Sequence, residues 1–332
     1  MKVDNSTIHT ASLLEFINHS FKIERGITID FIPKGEEGYC YTLQTEMEKT
    51  YFVKAIKTER DLFPALSAIH TLYNHDKKAY LLPPIPTKNG DVVVYFGPYQ
   101  ISIFPFIQGV SIYEGSLTLL DTEQIASMMA DLHQYDKNRF EGLPCEQFDN
   151  PFEKDIFKIL HTGKADTFYR RRAKDLFVQE QEDILTTLNK MKKMQTELQA
   201  LPLSFSITHG DPNYANIMRD LKGNLHLIDF GELAYGPIER DIMAFTGNEF
   251  FHSFLFEYYK FHPYAKLHVE VFEFYLYRWA LQEIADFGSQ IFFGSTGNEE
   301  NEHAWEELQP YLPIPHKDIA KVLNDIKEEL NK

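Results

Sequence analysis

The periodicity of the sequence changes near residue 108, and this change limits the folds open to the chain. Before that point, short β-branched and aromatic runs between polar turns predict strands. A short amphipathic helix precedes them, and a second helix over 62–75 interrupts them, with Asp61 as N-cap and Pro64 in its first turn. The predicted strands are 26–33, 38–45, 50–57, 91–97 and 99–106, and the first helix is 11–21.

After residue 108 the pattern becomes mainly helical. Helices are predicted over 119–136, 164–200 and most of 239–331, with a strand at 203–209. The segments "NIMRD" and "LHLIDF" flank "LKGN" and predict a hairpin. The sequence therefore predicts an α+β fold of two lobes: a small β-rich N-lobe with one helix over 1–107, and a larger, mainly helical C-lobe over 108–332.

Composition limits the classes of function. With 332 residues, 43% of them apolar, the chain can bury a large core in two lobes. A net charge of −16 argues against nucleic-acid binding and fits cationic partners better. Two distant cysteines, Cys40 and Cys145, argue against a disulfide framework. No apolar run reaches membrane-spanning length, so we expect a soluble cytoplasmic protein without membrane contact.

The stretch "THGDPNYANIM" (208–218) contains too many helix breakers for a helix and displays two polar groups at fixed spacing. Asp211 lies between Gly210 and Pro212, which restrict its backbone. Asn216 follows five residues later, and Asp229 ends an apolar strand thirteen residues beyond it. Asparagine and carboxylate oxygens suit Mg²⁺, and the remaining carboxylate, Asp211, can deprotonate a hydroxyl. Each residue alone is typical of a turn, but the whole set favours phosphoryl transfer.

The motifs "HGDPNYAN" and "LIDFG" resemble those of the aminoglycoside phosphotransferase and choline kinase-like family, relatives of the protein kinases. The resemblance implies a protein-kinase-like bilobal fold, with ATP and Mg²⁺ as cofactors. It makes Asp211 the catalytic base and Asn216 and Asp229 the metal ligands. His209 would hold the loop, and Asp241 would cap a helix and brace the same loop. "ERDIM" and "YRWALQEIADFGSQ" look most like the spectinomycin phosphotransferase branch.

The β-rich lobe is then expected to bind the nucleotide. Lys54, in the strand "YFVKAIK", matches the family's phosphate-binding lysine, with Lys57 as the alternative. A buried lysine needs a counter-charge, which the family takes from the following helix. Glu59 and Asp61 are the candidates, although both precede the family's position and are equally well explained as charges near a helix N-terminus.

Two further parts of the nucleotide site rest on weaker signals. Gly35 and Gly38 lie between the first two strands, where kinases cover the triphosphate, but an ordinary hairpin turn explains them equally well. The segment "ISIFPFIQG" resembles the connection between the lobes. The resemblance implies that backbone groups of Phe104 and Phe106 bind an adenine.

The acceptor is expected to be a small molecule with a hydroxyl group and a positive charge. Glu232 follows the metal strand, and Glu283 and Asp286 share one helix face. For Glu283 and Asp286, a solvated acidic surface is the alternative interpretation. The resemblance implies an aminoglycoside-like or aminocyclitol-like acceptor. The alternatives are a kinase of choline, homoserine, a sugar or protein Ser/Thr, and a nucleotide-binding module without catalysis. Either a monomer or a homodimer is compatible with the sequence.

Overall fold

The computed structural model describes residues 7–33, 38–294 and 297–332. The chain forms two compact units, each of two segments. The first contains the residues up to Pro144 together with His209–Tyr235, and the second contains Cys145–Thr208 and Gly236–Lys332. The predicted boundary between the lobes at residue 107 separates expected functions, whereas these units are defined by compactness. The predicted division therefore stays a prediction.

The elements follow the predicted change from strands to helices. The strands are β1 Gly26–Ile32, β2 Tyr39–Thr45, β3 Thr50–Ile56, β4 Val94–Phe96, β5 Tyr99–Pro105, β6 Gly109–Ser111, β7 Ser206–Thr208, β8 Ile217–Asp220, β9 Leu225–Leu227 and β10 Ala234–Gly236. The helices are α1 Thr10–Ser20, α2 Phe63–Asn74, α3 Leu119–Leu132, α4 Glu153–Leu160, α5 Phe168–Gln179, α6 Gln181–Gln199, α7 Glu239–Ile242, α8 Phe251–Phe261, α9 Val269–Phe293, α10 Asn298–Leu308 and α11 Lys317–Leu330.

The first unit contains an antiparallel sheet in the order β1-β2-β3-β5-β4. Helix α1 buries Leu13 and Ile17 in one cluster with Tyr41 and Ile101 of the sheet. Burial of such side chains stabilises the sheet by about 1.5–3 kcal/mol for each fully buried residue. The central strand β3 is thereby held in place, and β3 is the strand that carries Lys54.

Helix α2 begins one residue later than expected, and its N-cap is Leu62 instead of Asp61. The Asp61 carboxylate still accepts a hydrogen bond from the Phe63 backbone N–H at 3.0 Å. Buried Gln100 on β5 explains the shift, because its Oε1 accepts from the Leu62 N–H at 3.0 Å. A tertiary contact therefore sets where this helix starts.

A second sheet of the first unit has the order β6-β8-β9. Strands β8 and β9 form the predicted hairpin, with Met218 opposite His226. Helix α3 begins with a capping box in which Thr118 and Asp121 exchange hydrogen bonds. Along the chain, the hairpin β8–β9 separates Asp211 from Asp229.

The second unit is organised around α9, which contacts α4, α5, α6, α7, α10 and α11. Most aromatic residues in the first half of α9 belong to the core: Phe272, Phe274, Tyr275 and Tyr277 are buried, whereas Trp279 is 41% exposed. In the part of the chain that the structure describes, no helix combines the length and the apolar character needed to cross a bilayer.

A buried ionic cluster links three segments of the second unit. The Glu146 carboxylate accepts from Arg278 Nη1 at 3.1 and 3.2 Å and from the Tyr275 hydroxyl at 3.0 Å. Arg240 Nε lies 3.5 Å from the same carboxylate. Burial acts to raise the pKa of Glu146, but attraction to Arg278 and Arg240 outweighs it and the pKa is lowered.

Candidate active site

The segment 209–216 is built by local hydrogen bonds. Gly210 has a φ of +96°, a conformation that disfavours side chains with a Cβ. Asn213 then starts a 3₁₀ turn over Tyr214–Asn216, and its side-chain oxygen accepts from the Ala215 N–H at 2.8 Å. The predicted loop is therefore a fixed turn that places Asp211 and Asn216 side by side.

The Asp211 carboxylate is held by two amides. Asn213 Nδ2 donates to Oδ1 at 2.8 Å, and Asn216 Nδ2 donates to Oδ2 at 2.9 Å. Although the residue as a whole is exposed, its carboxyl group is partly desolvated. Loss of solvation raises the pKa of Asp211, and the charges of Asp229 and Glu232 raise it further, against the effects of His209 and Asn213. A carboxylate with a raised pKa is better suited to accept a proton.

Asn216 and Asp229 carry the oxygens expected at a metal site. Because Asn216 uses Nδ2 to hold Asp211, its amide oxygen has no protein partner among the described residues. Asp229 has φ 63° and ψ 68°, a left-handed conformation that is uncommon for a residue with a side chain. Such strained positions cluster at functional sites, and here the Asp229 carboxylate contacts Lys54 of β3.

Lys54 meets Asp229. The lysine is 8% exposed, and its Nζ donates to both Asp229 carboxylate oxygens, at 2.6 and 2.7 Å. The counter-charge that a buried lysine needs therefore comes from Asp229, two residues beyond the end of β9. The structure thus places two of the sequence-predicted site residues, from segments far apart in the chain, in direct contact.

The two candidate counter-charges that precede α2, Glu59 and Asp61, do not have that role in the structure. In the described part of the chain, neither Glu59 nor Asp61 pairs with Lys54, and both are exposed. The reason is their position: both precede α2, in the loop that leaves β3. Lys57, the alternative to Lys54, is exposed on the same loop.

His209 supports the loop from within the first unit. It is fully buried, its Nε2 donates to the Ile228 carbonyl at 2.9 Å, and its Nδ1 accepts from the Asp211 N–H at 3.3 Å. Its ring packs against Phe230, with centroids 4.8 Å apart. One imidazole thus joins the segment that carries Asp211 to the segment after β9 that carries Asp229.

Arg60 is a charged residue of this region that the sequence analysis missed. Its guanidinium forms an ion pair with Glu232, three residues after Asp229. No motif marks it, because its neighbours "KTERDL" look like an ordinary polar loop. Asn213 was also missed, although Asn after a Pro in a tight turn is a recognisable signal.

The remaining predicted residues are spread over both units. Gly38 is tightly packed, since a Cβ there would lie 2.9 Å from the Ala55 carbonyl oxygen; Gly35 lies outside the described residues. Phe104 is buried on β5, and Phe106 follows that strand. The roles predicted for Gly38, Phe104 and Phe106 stay predictions.

Three predicted residues belong to the second unit. Glu283 and Asp286 lie on α9. Asp241 is fully buried in α7, but it does not cap that helix, because the N-cap position is Ile238 and no side chain caps it. Asp241 lies in the first turn of α7 instead. The predicted acceptor contacts and the predicted bracing role stay predictions.

Comparisons with known proteins agree with the resemblance noted in the motifs. Residues 28–259 match the model of the phosphotransferase enzyme family. Protein StrN of Streptomyces griseus is 23% identical over 332 residues, which cover 95% of this chain and 97% of StrN.

Two solved structures share the fold. Spectinomycin phosphotransferase, in complex with ADP and spectinomycin, superposes with a TM-score of 0.76 at 17% identity, covering 97% of this chain and 100% of that chain. Amicoumacin kinase, in complex with AMP-PNP, Ca²⁺ and amicoumacin, superposes with a TM-score of 0.62 at 13% identity, covering 95% and 97%. These similarities confirm the predicted bilobal, kinase-like α+β fold. Since the family match covers more than half of the chain, the protein belongs to the phosphotransferase enzyme family.

Proposed function

We propose that the protein is an ATP- and Mg²⁺-dependent small-molecule kinase that transfers the γ-phosphoryl group to a hydroxyl of an aminoglycoside- or aminocyclitol-like acceptor. One observation carries this proposal. The Asp211 carboxylate is held beside Asn216 by a 2.9 Å hydrogen bond, and the Lys54–Asp229 pair lies in the same unit. Phosphoryl transfer requires a base, oxygen ligands for a metal ion and a cation that contacts the phosphates.

The residues present fit a hard divalent cation. The Asn216 amide oxygen and the Asp229 carboxylate would hold Mg²⁺, which binds proteins through few ligands and keeps sites for phosphate oxygens. When bound, the ion would neutralise charge on the transferred phosphate. The amicoumacin kinase structure, with AMP-PNP and Ca²⁺, supports use of a nucleotide with a divalent cation.

Asp211 has the role of general base. The acceptor hydroxyl oxygen forms a bond to the γ-phosphorus, its proton passes to Asp211, and the bond from that phosphorus to the oxygen bridging to the β-phosphate breaks, so that ADP leaves. Asn213 and Asn216 hold both carboxylate oxygens and limit rotation of the side chain. Correct orientation of a base contributes to rate because the reacting groups then meet in a productive geometry.

Lys54 would contact the nucleotide phosphates. It is the buried cation of β3, and its Nζ reaches Asp229 at 2.6 Å. Lys54 and Asp229 together present one positive and one negative group, as a phosphate–metal complex requires. Gly38, Phe104 and Phe106 are the further candidates for nucleotide contacts, and cytoplasmic ATP would be the donor.

Two observations favour an amino-sugar acceptor. Spectinomycin phosphotransferase, whose structure contains spectinomycin, matches this chain over 97% of its length. The chain carries a net charge of −16, which attracts cationic molecules. Of the carboxylates that the sequence offers for an acceptor ammonium group, Glu283 and Asp286 stay candidates, whereas Glu232 is already paired with Arg60.

The test is Mg·ATP-dependent release of ADP across a panel of acceptors headed by spectinomycin and other amino-sugars. Asp211→Asn serves as the blank. Release that an amino-sugar stimulates in the wild type and not in the variant is expected. Stimulation only by choline, homoserine or a protein would move the acceptor class. No stimulation by any acceptor, with Mg·ATP still bound, would favour a non-catalytic nucleotide-binding module.

A further inference from the structure

We propose that Arg60 is a positioning residue for the metal site: through its ion pair with Glu232 it holds the turn of residues 229–232, which carries Asp229. This inference rests on the proposed function, because it assigns Asp229 to a metal that accompanies the nucleotide. It adds an arginine that none of the sequence motifs contains.

The turn 229–232 needs external support. Asp229 is in the left-handed region, and the 3₁₀ turn Phe230–Glu232 that follows is closed by the Leu233 N–H, which donates to the Phe230 carbonyl at 3.2 Å. A residue with a side chain persists in this conformation only where its surroundings fix it. Phe230, buried against His209, anchors the centre of the turn, and Lys54 anchors its beginning.

Arg60 anchors the end of the turn. Its Nη1 donates to Glu232 Oε1, so the two carboxylates of the turn, Asp229 and Glu232, are each held by a cation. Lys54 comes from β3, and Arg60 comes from the loop immediately after β3. Strand β3 and the loop after it therefore contact both ends of the turn. Lys54 already has its counter-charge in Asp229 and does not require an acidic residue of α2.

The position of Arg60 is itself fixed. Gln100, which is 3% exposed on β5, donates from Nε2 to the Arg60 carbonyl at 2.6 Å and accepts from the Leu62 N–H at 3.0 Å. The donor and the acceptor of this buried amide thus both bind the loop 60–62. Displacement of the loop would leave both groups buried without hydrogen-bond partners, which costs free energy, so the loop has one favoured position.

The ion pair has a positional role more than a stabilising one. The side chains of Arg60 and Glu232 are 33% and 42% exposed, and pairs with this exposure contribute little to folding. Removal of an interaction that orients a metal ligand, in contrast, lowers metal affinity by roughly 10–100-fold. The effect of Arg60 is therefore expected in metal-dependent binding and not in the stability of the chain.

A direct contact between Arg60 and the nucleotide phosphates is the competing explanation, and Glu232 separates the two. If Arg60 acts through Glu232, removal of either partner has the same effect, and removal of both adds nothing. If Arg60 binds phosphate, loss of the Glu232 charge leaves nucleotide affinity unchanged or raises it.

The experiment measures the affinity for ADP by calorimetry, with Mg²⁺ and then with EDTA, in the absence of any acceptor. The variants are Arg60→Ala, Glu232→Gln, their combination, and the exchange Arg60→Glu with Glu232→Arg. Arg139→Ala is the matched control, because Arg139 pairs with Asp76 in the same unit at 3.1 Å.

Both single variants are expected to lower the affinity for Mg·ADP by about 10-fold, with no further loss in the combination, recovery in the exchange, and no change in EDTA. Equal affinity in the wild type and Arg60→Ala would overturn the inference and leave the proposed function intact. So would a loss in Arg60→Ala alone that persists in EDTA. A wild type that binds no Mg·ADP would overturn both.

A second measurement covers the case in which Arg60→Ala is poorly folded. Arg60→Lys keeps the charge and the loop, and is expected to restore most of the Mg·ADP affinity with an unchanged melting temperature. A variant Arg60→Lys that binds Mg·ADP as weakly as Arg60→Ala while melting normally would also contradict the role of the ion pair.

Discussion

Lys54 and Asp229, 175 residues apart in the chain, pair through both carboxylate oxygens at 2.6 and 2.7 Å. The pair joins the five-stranded sheet of the first unit to the segment that follows the hairpin β8–β9. A buried charge requires a partner, so each of the two residues fixes the position of the other.

Replacement of Lys54 by Met is expected to raise KM for ATP and to lower kcat by roughly 10²-fold or more, because it removes the cation that we propose to contact the phosphates. Lys57→Met is the matched control: it removes the same charge three residues away, from an exposed position. Steady-state kinetics with an ADP-release assay would check this. Comparable losses in both variants would contradict the assignment of Lys54.

Replacement of Asp211 by Asn is expected to lower kcat by roughly 10²–10⁴-fold, because the acceptor proton then has no positioned base. Affinity for Mg·ADP should persist, since Asp211 is not one of the proposed metal ligands. Asp30→Asn, which changes an exposed residue of β1, is the control. Turnover near the wild-type rate in Asp211→Asn would show that another group takes the proton.

Local patterns predicted much of the fold. The expected strands 26–33, 38–45 and 50–57 agree with β1, β2 and β3 to within one residue at each end, because their alternation and flanking turns are local signals. The predicted helix over 164–200 is two helices, α5 and α6, that meet at Glu180. Helix α4 was not predicted, because its eight residues give too short a pattern to recognise.

The site was predictable where chemistry follows a motif and unpredictable where it depends on the tertiary structure. Asp211 and Asn216 are close because five residues of one turn separate them, which the sequence shows directly. The partner of Lys54 and the contact of Arg60 with Glu232 depend on chain segments that meet only in the fold. No local pattern in "KTERDL" distinguishes Arg60 from a solvated charge.

Glu239 is expected to make the stability of the second unit depend on pH. Burial raises the pKa of Glu239 from 4.5 to about 7, although its carboxylate accepts from the His268 N–H at 2.7 Å. Because the folded state holds the proton more tightly than the unfolded state, the contribution of Glu239 to the free energy of unfolding is greatest below pH 4.5. It then falls as the pH rises towards 7. The nearby hydroxyls of Tyr258 and Tyr259 have raised pKa values and add no counter-charge.

Glu239→Gln removes the titrating group and keeps the acceptor oxygen. At pH 8 the variant is therefore expected to be more stable than the wild type by about 1–3 kcal/mol, since one pKa unit corresponds to about 1.4 kcal/mol. The difference should shrink towards pH 5. Urea unfolding at both pH values checks this, with Glu270→Gln, an exposed change at the start of α9, as the control. A stability difference that does not depend on pH would refute the prediction.

The pH dependence expected from Glu146 is opposite to that expected from Glu239. Attraction to Arg278 and Arg240 lowers its pKa despite burial, so its contribution is present above pH 4.5 and is lost as the pH falls below that value. Glu146→Gln leaves two buried guanidinium groups without their shared carboxylate and is expected to destabilise the protein by about 3–5 kcal/mol at pH 7. Adding Arg278→Met should cost less than the sum of the two single changes, because one uncompensated charge is removed. Urea unfolding of the two single variants and the double variant measures this coupling. Strictly additive losses would mean that the cluster is held by packing and not by charge.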